Sequence, residues 1–279
     1  MVSPSQKKAA VQRIVNQRLC SVRKACSYLG LSRSTYRYVP KPITDRQQQL
    51  HQRIVALSWG YPRYGYRRIR VLLAKEGWTV SRKQVQRIRR REGLKVRPKP
   101  KKIPRRGVST GLPTQAMHRH QVWTWDFIFD RTDNGGTLKM MTLLDEYTRP
   151  CLAIQVERQI TAAQVLAVLE KAMIQYGVPG YIRSDNGPEF IAAQVQQWLS
   201  EHHIKTIYID PGSPWKNGYI ESFHSRFRDE CLNREWLLNL REARVVIEDW
   251  RQHYNTDRPH SRLGYLSPEE FIQTNIRTP

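Results

Sequence analysis

Acidic residues are nearly missing from the first 110 positions of this 279-residue chain, which hold only Asp45, Glu76 and Glu92 against 29 Lys and Arg. That scarcity excludes a basic partner for this part of the chain and points to a polyanion. No apolar run reaches membrane-spanning length, and the opening "MVSPSQKKAAVQRIV" has no signal-peptide apolar segment. The expectation is therefore a cytoplasmic, nucleoid-associated protein with no membrane partner. Cysteine is scarce too: Cys20, Cys26, Cys151 and Cys231 form no CxxC pair and no metal-finger spacing. A structural zinc module is excluded on that ground, and the thiols read as core residues in a reducing compartment.

What is present is a chain with real cores. Apolar residues make up 39%, with eight Trp and thirteen Tyr, which excludes global disorder. The formal charge of +23 is unevenly placed, because residues 111–279 hold 18 basic groups and 21 acidic ones. A generally basic protein such as a ribosomal subunit would not carry an acidic, aromatic-rich second half, so the polyanion belongs to the N-terminal part.

Residues 10–38 read as a helix-turn-helix. Ser21 is an N-cap and Gly30 a stop, then Ser32 caps a second helix carrying Arg33, Thr35, Tyr36 and Arg37. A second unit spans 46–97. One helix buries Ile69, Leu72 and Leu73 and ends at Gly77. Ser81 caps the next, which buries Val85 and Ile88 and presents Arg82, Lys83, Arg87 and Arg90 outward. Two such units favour double-stranded DNA. The Pro-rich basic stretch that follows is a linker, giving expected domains of 1–42, 43–97, a linker 98–117 and a catalytic core 118–279.

Beyond the linker the pattern changes. "QVWTWDFIFD" alternates, with Trp123, Trp125, Phe127 and Phe129 on one face and Asp126 on the other. A hairpin turn at "RTDNGG" leads to two more strands, then a helix with a Thr161/Gln164 capping box that stops at Gly177. "GYIRSD" and "KTIYID" are further strands separated by the helix "AAQVQQWLSEHH", and a late helix runs from about Tyr219 to Leu232. The expected fold is α/β, a mixed five-stranded sheet with flanking helices on both faces, preceded by small all-α helix-turn-helix domains.

Three carboxylates stand where such a sheet brings residues together. Asp126 lies in the first strand and Asp185 at the C-terminal end of the fourth, where open α/β sheets place ligands. Glu221 lies on the late helix, separated from Asp185 by 35 residues, with Arg228 projecting the same way two turns later. Clustered carboxylates repel unless a cation neutralises them, and oxygen-only ligation selects Mg²⁺ or Mn²⁺ over zinc. Two such ions suit phosphodiester chemistry.

The motifs "WTWDF", "SDNGPEF", "SPWKNGYIESFHSRFRDECL" and "YNTDRPHSRLGYLSPEEF" resemble the second-frame protein of bacterial insertion sequences of the "IS-three" type, over residues 60–275. The transposase core of that family is similar to retroviral integrases. The resemblance implies an RNase H-like fold and DNA strand transfer with two metal ions held by Asp126, Asp185 and Glu221. It also implies that Arg228 contacts DNA near the active site. The partners expected with it are terminal inverted repeats, target DNA, further copies of the chain on DNA, and an upstream-frame helix-turn-helix protein or fusion.

Other readings stand beside these. Asp126 alone fits a solvent-facing strand acid, and Asp185 an Asx turn before Asn186. Glu189 rivals Glu221 but suits a loop-shaping role, and Asp145 a turn. His224 reads as a substrate-side or solvated residue. Asn186 supports the loop or touches DNA, and Arg228 contacts DNA or is a solvated charge. Trp215 reaches a base or anchors its loop. For the chain as a whole, the alternatives are a non-catalytic DNA-binding regulator and a metal-dependent nuclease.

Overall fold

Ser3 opens the first helix by accepting from the Gln6 amide, while the Gln6 side chain accepts from the Ser3 amide. The computed structural model describes residues 3–39, 42, 44–96, 115–184, 187, 189–208 and 218–276. Two compact units divide the chain, residues 1–53 and 54–279.

In the first unit, α1 (Pro4–Asn16), α2 (Val22–Tyr28) and α3 (Arg33–Arg37) pack around Val11, Ala25, Cys26 and Leu31. The expected caps Ser21 and Ser32 accept from Lys24 N and Thr35 N, and Gly30 takes the left-handed conformation that ends α2. The unit has three helices rather than two, since the chain is already helical from Pro4. Helix α3 is one short turn with no buried residue; Tyr36 is turned back to α1, its hydroxyl donating to Gln12. Helix α4 (Asp45–Gly60) crosses the boundary between the units.

The second unit begins with α5 (Tyr66–Lys75) and α6 (Arg82–Arg91), which bury Ile69, Leu73 and Val85. Leu72 and Ile88 are half-buried. Most of the expected linker, residues 98–114, lies outside the described residues.

A five-stranded sheet follows, in the order β3-β2-β1-β4-β5. β1 (Val122–Arg131), β2 (Thr137–Asp145) and β3 (Cys151–Glu157) meander antiparallel. β4 (Tyr181–Ser184) and β5 (Lys205–Tyr208) run parallel to β1. The period-2 alternation of β1 sends its side chains to two different cores. Trp123 and Trp125 join Met141, Leu143 and Ile182 under α7 (Ala162–Tyr176) and α8 (Ala193–Glu201). On the opposite face Ile128, Leu138 and Met140 meet α9 (Gly218–Phe227) and α10 (Leu240–Thr256) through Ile220, Phe223, Phe227, Ile247 and Trp250. Asp126 shares the α9 face by parity.

Two differences from the sequence reading have physical causes. Phe129 is 53% exposed rather than covered with Trp123, Trp125 and Phe127. β1 outruns its parallel neighbour, which pairs only with Val122, Trp123 and Thr124, so β4 does not flank the far end of the strand. Residues 240–256 form α10, to which the sequence reading assigns no element. Asn239 caps it by accepting from the Glu242 amide, and it buries Ala243, Ile247, Trp250 and Tyr254 at helical spacing. α11 (Pro268–Ile276) packs on α10. Among the described residues no helix is long and apolar enough to cross a membrane.

Candidate active site

The sheet position of Asp126 fixes its surroundings. The residue is half-buried on the central strand, opposite Thr142 of β2. Its Oδ1 accepts from the Phe127 amide at 2.7 Å, and its carbonyl accepts from the Thr142 hydroxyl at 3.0 Å. Thr142 Oγ1 also lies 2.8 Å from His224 Nε2, and His224 Nδ1 lies 3.7 Å from Asp126 Oδ2. A hydroxyl has a single proton, and here the Asp126 carbonyl takes it. The hydroxyl must then accept from His224, so the imidazole carries its proton on Nε2. Burial first, and the Arg228 charge second, push the His224 pKa down to about 4. At neutral pH its Nδ1 lone pair therefore stands near an Asp126 carboxylate oxygen.

Glu221 lies one helical turn before His224 on α9, exposed. Arg228, at the end of the same helix, is exposed, and its Nη2 donates to the Phe129 carbonyl at 2.8 Å. One face of β1 and one flank of α9 thus bring Asp126, His224, Glu221 and Arg228 to the same side of the sheet. Asp185 and Asn186 lie outside the described residues, as does Trp215. Among the described residues, no group of three His, Cys, Asp or Glu could hold a metal ion.

Described residues before and after this motif are firmly held. Ser184 ends β4 fully buried. Arg183, also buried, donates from Nε to Glu146 Oε1 at 2.7 Å, tying β4 to the turn after β2. Burial raises the Glu146 pKa while Arg183 opposes the rise. Beyond the motif, Phe190 is stacked on Trp125 at 4.5 Å and on Phe127 at 4.6 Å. Its amide donates to the Gly187 carbonyl, and its own carbonyl accepts from Gln196. Glu189 forms an ion pair with Lys139, whose ammonium also sits 4.3 Å above the Phe127 ring. Burial acts to raise the Glu189 pKa, but Lys139 prevails and lowers it. Glu189 is thereby committed to β2, in keeping with a loop-shaping role. Asp145 is fully buried and serves a turn: Oδ1 accepts from Tyr147 N, Thr148 N and the Thr148 hydroxyl, and Oδ2 from His120 N.

His224 is not a solvated group, since its ring is half-buried and bonded to Thr142. Its spacing of three from Glu221 was the available signal. Nothing in the sequence pointed to Thr142, because its role depends on cross-strand register.

The basic candidates are distributed as follows. Arg33 and Arg37 are exposed on α3, and Arg82, Lys83, Arg87 and Arg90 are exposed on α6. Arg89, between two of these, is only 4% exposed, with its Nε unpaired among the described residues. Burial lowers its pKa.

Comparison with known proteins adds the following. The family described as "Integrase core domain" matches residues 116–214 and, in a second form, 202–268; "HTH-like domain" matches 44–102. The chain is 40% identical over 277 residues to "Insertion element IS476 uncharacterized 39.2 kDa protein" of Xanthomonas euvesicatoria, covering 99% of this chain and 79% of that one. It is 26% identical over 275 residues to "Transposase InsF for insertion sequence IS3A" of Escherichia coli, covering 92% and 95%. Among solved structures, a chain of the simian T-cell lymphotropic virus intasome aligns with 81% of this chain and 76% of its own length. Its TM-score is 0.50 at 13% identity, which shows a shared fold.

Proposed function

The chain belongs to the integrase-core family of bacterial insertion-element proteins, and from that premise we propose that it is a DNA transposase that cleaves element ends and joins them to target DNA. The observation that carries the site assignment is the Asp126–His224–Thr142 arrangement, which seats the helix bearing Glu221 over the strand bearing Asp126. β4, which leads into position 185, lies directly beside β1 with Arg183 opposite Thr124. That placement supports Asp185 as the third carboxylate.

The donor set fits a hard divalent cation. It is made of carboxylate oxygens, and a lone pair near a carboxylate oxygen calls for positive charge between them. Asp126, Asp185 and Glu221 would hold two Mg²⁺ or Mn²⁺ ions, which when bound supply Lewis-acid activation of water or a 3′-hydroxyl and neutralise charge at the phosphate. The protein's own contribution is positioning. The Phe127 amide holds the Asp126 carboxylate, His224 bonds Thr142 beside it, and Phe190 is anchored by its stack on Trp125 and Phe127. Arg228 and Asn186 contact the DNA near the cut, while Arg82, Lys83, Arg87 and Arg90 of residues 43–97, with Arg33 and Arg37 of residues 1–42, grip the duplex ends. Further copies of the chain assemble on DNA, and an upstream-frame protein joins them.

Incubating the full chain with labelled terminal repeats, target plasmid and Mg²⁺ tests this. Asp126→Asn, Asp185→Asn and Glu221→Gln should each abolish cleavage and joining while end binding persists. Normal joining by any one of them removes that residue from the set. Pre-cut 3′-hydroxyl ends should be joined by the wild type; a protein that only hydrolyses them is a nuclease.

A further inference from the structure

Helix α9 has a second working flank. At 100° per residue, Glu221, His224, Ser225 and Arg228 lie to one side of the buried row Ile220, Phe223 and Phe227. Tyr219, Ser222 and Arg226 lie to the other side, and there they line a cavity of about 440 Å³. Its remaining walls include Arg149 from the turn between β2 and β3, and His260 and Arg262 from the segment after α10.

Three guanidinium groups line this cavity, and the carboxylate that acts on Arg149 through its charge, Glu146, is already paired with Arg183. Among the described residues Arg149, Arg226 and Arg262 form no ion pair. Arg149 is half-buried and held with its guanidinium carbon 4.0 Å from the Tyr219 ring centroid, a contact that orients a cation without neutralising it. Its backbone sits at a φ of 70°, which a non-glycine residue adopts at a cost, so the fold maintains that placement against strain. Asp145 also lines the cavity, but its two oxygens are occupied by the turn amides, the Thr148 hydroxyl and His120 N. Glu230 is taken by Arg258 and Arg68. The positive field is felt locally: burial, then the charges of Arg258, Arg68, Arg149 and Arg226, push His260 down to about 3. Burial likewise lowers Arg149.

Such a cavity repels cations, and three guanidinium groups do not suit an apolar ligand. Guanidinium forks match the oxygens of a phosphate, and the volume is sufficient for a phosphate with part of its sugar. We propose that this pocket binds a backbone phosphate of the DNA, gripping the strand on the flank of α9 opposite Glu221. The inference rests on the transposase reading and adds to it a separate anchoring site, built from the "YNTDRPHSRLGY" motif and the β2–β3 turn.

The test measures affinity of the full chain for an element-end duplex across a range of KCl concentrations. Each neutralised phosphate contributes about 0.9 to the slope of log K against log salt. Arg226→Gln and Arg262→Gln should each reduce the slope by about one contact, and Arg262→Lys should restore most of it. Arg241→Gln, which removes an exposed charge on α10 away from the cavity, should leave the slope unchanged. Unaltered melting temperatures would show that the variants fold. Wild-type DNA binding whose slope is unaffected by both cavity variants overturns the proposal while leaving the transposase reading intact; failure of the wild type to bind DNA overturns both. A parallel titration with pyrophosphate distinguishes sources. Pyrophosphate binding lost in the variants, with the DNA slope unchanged, would make the pocket a free-phosphate site and sink the DNA assignment.

Discussion

At the scale of single residues, His224 is the most informative side chain near the proposed carboxylates. It bonds a β2 hydroxyl and places its other ring nitrogen 3.7 Å from the carboxylate of β1, from a position one turn beyond Glu221, so it couples the two elements that carry that site. Groups that orient metal-holding carboxylates commonly change metal affinity or activity 10- to 100-fold when removed. His224→Ala should therefore raise the Mn²⁺ concentration needed for half-maximal joining by about tenfold or more. End binding, which depends on the basic helices, should remain normal. Thr142→Val should produce a smaller shift in the same direction, since it removes the hydroxyl that holds the ring but leaves the ring in place. An unchanged Mn²⁺ requirement in His224→Ala, measured by titrating joining activity, would show that the imidazole does no more than fill space.

At the scale of elements, the helix carrying Glu221 ends in a π-helical turn, Arg228–Leu232, and this turn is a junction. Its Glu230 is buried and accepts from Arg258 Nε at 2.5 Å and Nη2 at 2.7 Å, and from Arg68 Nη1 of α5 at 3.1 Å. Burial alone would raise the Glu230 pKa, but the guanidinium partners prevail and lower it. Helix α5 is held to the core at two further points, Lys75–Glu270 at 2.6 Å and, just before the helix, Tyr64–His253 at 3.0 Å. Removing one partner of a buried pair leaves an uncompensated charge, at a cost of roughly 3–5 kcal/mol. Glu230→Gln should lower the stability of this unit by about that amount, whereas Arg68→Met, which leaves the Arg258–Glu230 pair intact, should cost about 1 kcal/mol. Urea unfolding of the two variants and their double mutant would reveal the coupling. A double mutant whose loss equals the sum of the single losses would mean that α5 is not tied to the π-turn.

At the scale of the whole molecule, much was legible because hydrophobic periodicity and cap chemistry are local. The Thr161/Gln164 capping box, the Ser21, Ser32 and Ser81 caps, and the alternation of β1 all read directly into elements. Spacing placed Asp126 and Glu221 on elements that share a sheet face. What stayed hidden depends on tertiary pairing: the Thr142–His224 bond, the Arg183–Glu146 pair and the three-arginine cavity each join positions far apart in the chain. The same burial that hides these contacts also makes the core sensitive to acid. His120, His253 and His260 all have lowered pKa values, with burial as the leading cause in each. An imidazole held at about 3 in the folded chain but near 6.5 in the unfolded chain takes up its proton mainly on unfolding. Its stabilising contribution is full above the unfolded value and is lost as pH falls toward the folded one. For His260 the loss between pH 6.5 and 5 is on the order of 2 kcal/mol. Unfolding midpoints of the full chain should therefore fall steeply over that range. His260→Gln keeps a partner for the Tyr254 hydroxyl, which lies 2.9 Å from His260 Nε2, yet cannot take up a proton. It should flatten the pH profile by one titrating group while leaving stability at pH 8 little changed. A profile as steep as that of the wild type would show that His260 is already protonated in the folded chain, and that the surrounding guanidinium groups are not close enough to oppose it.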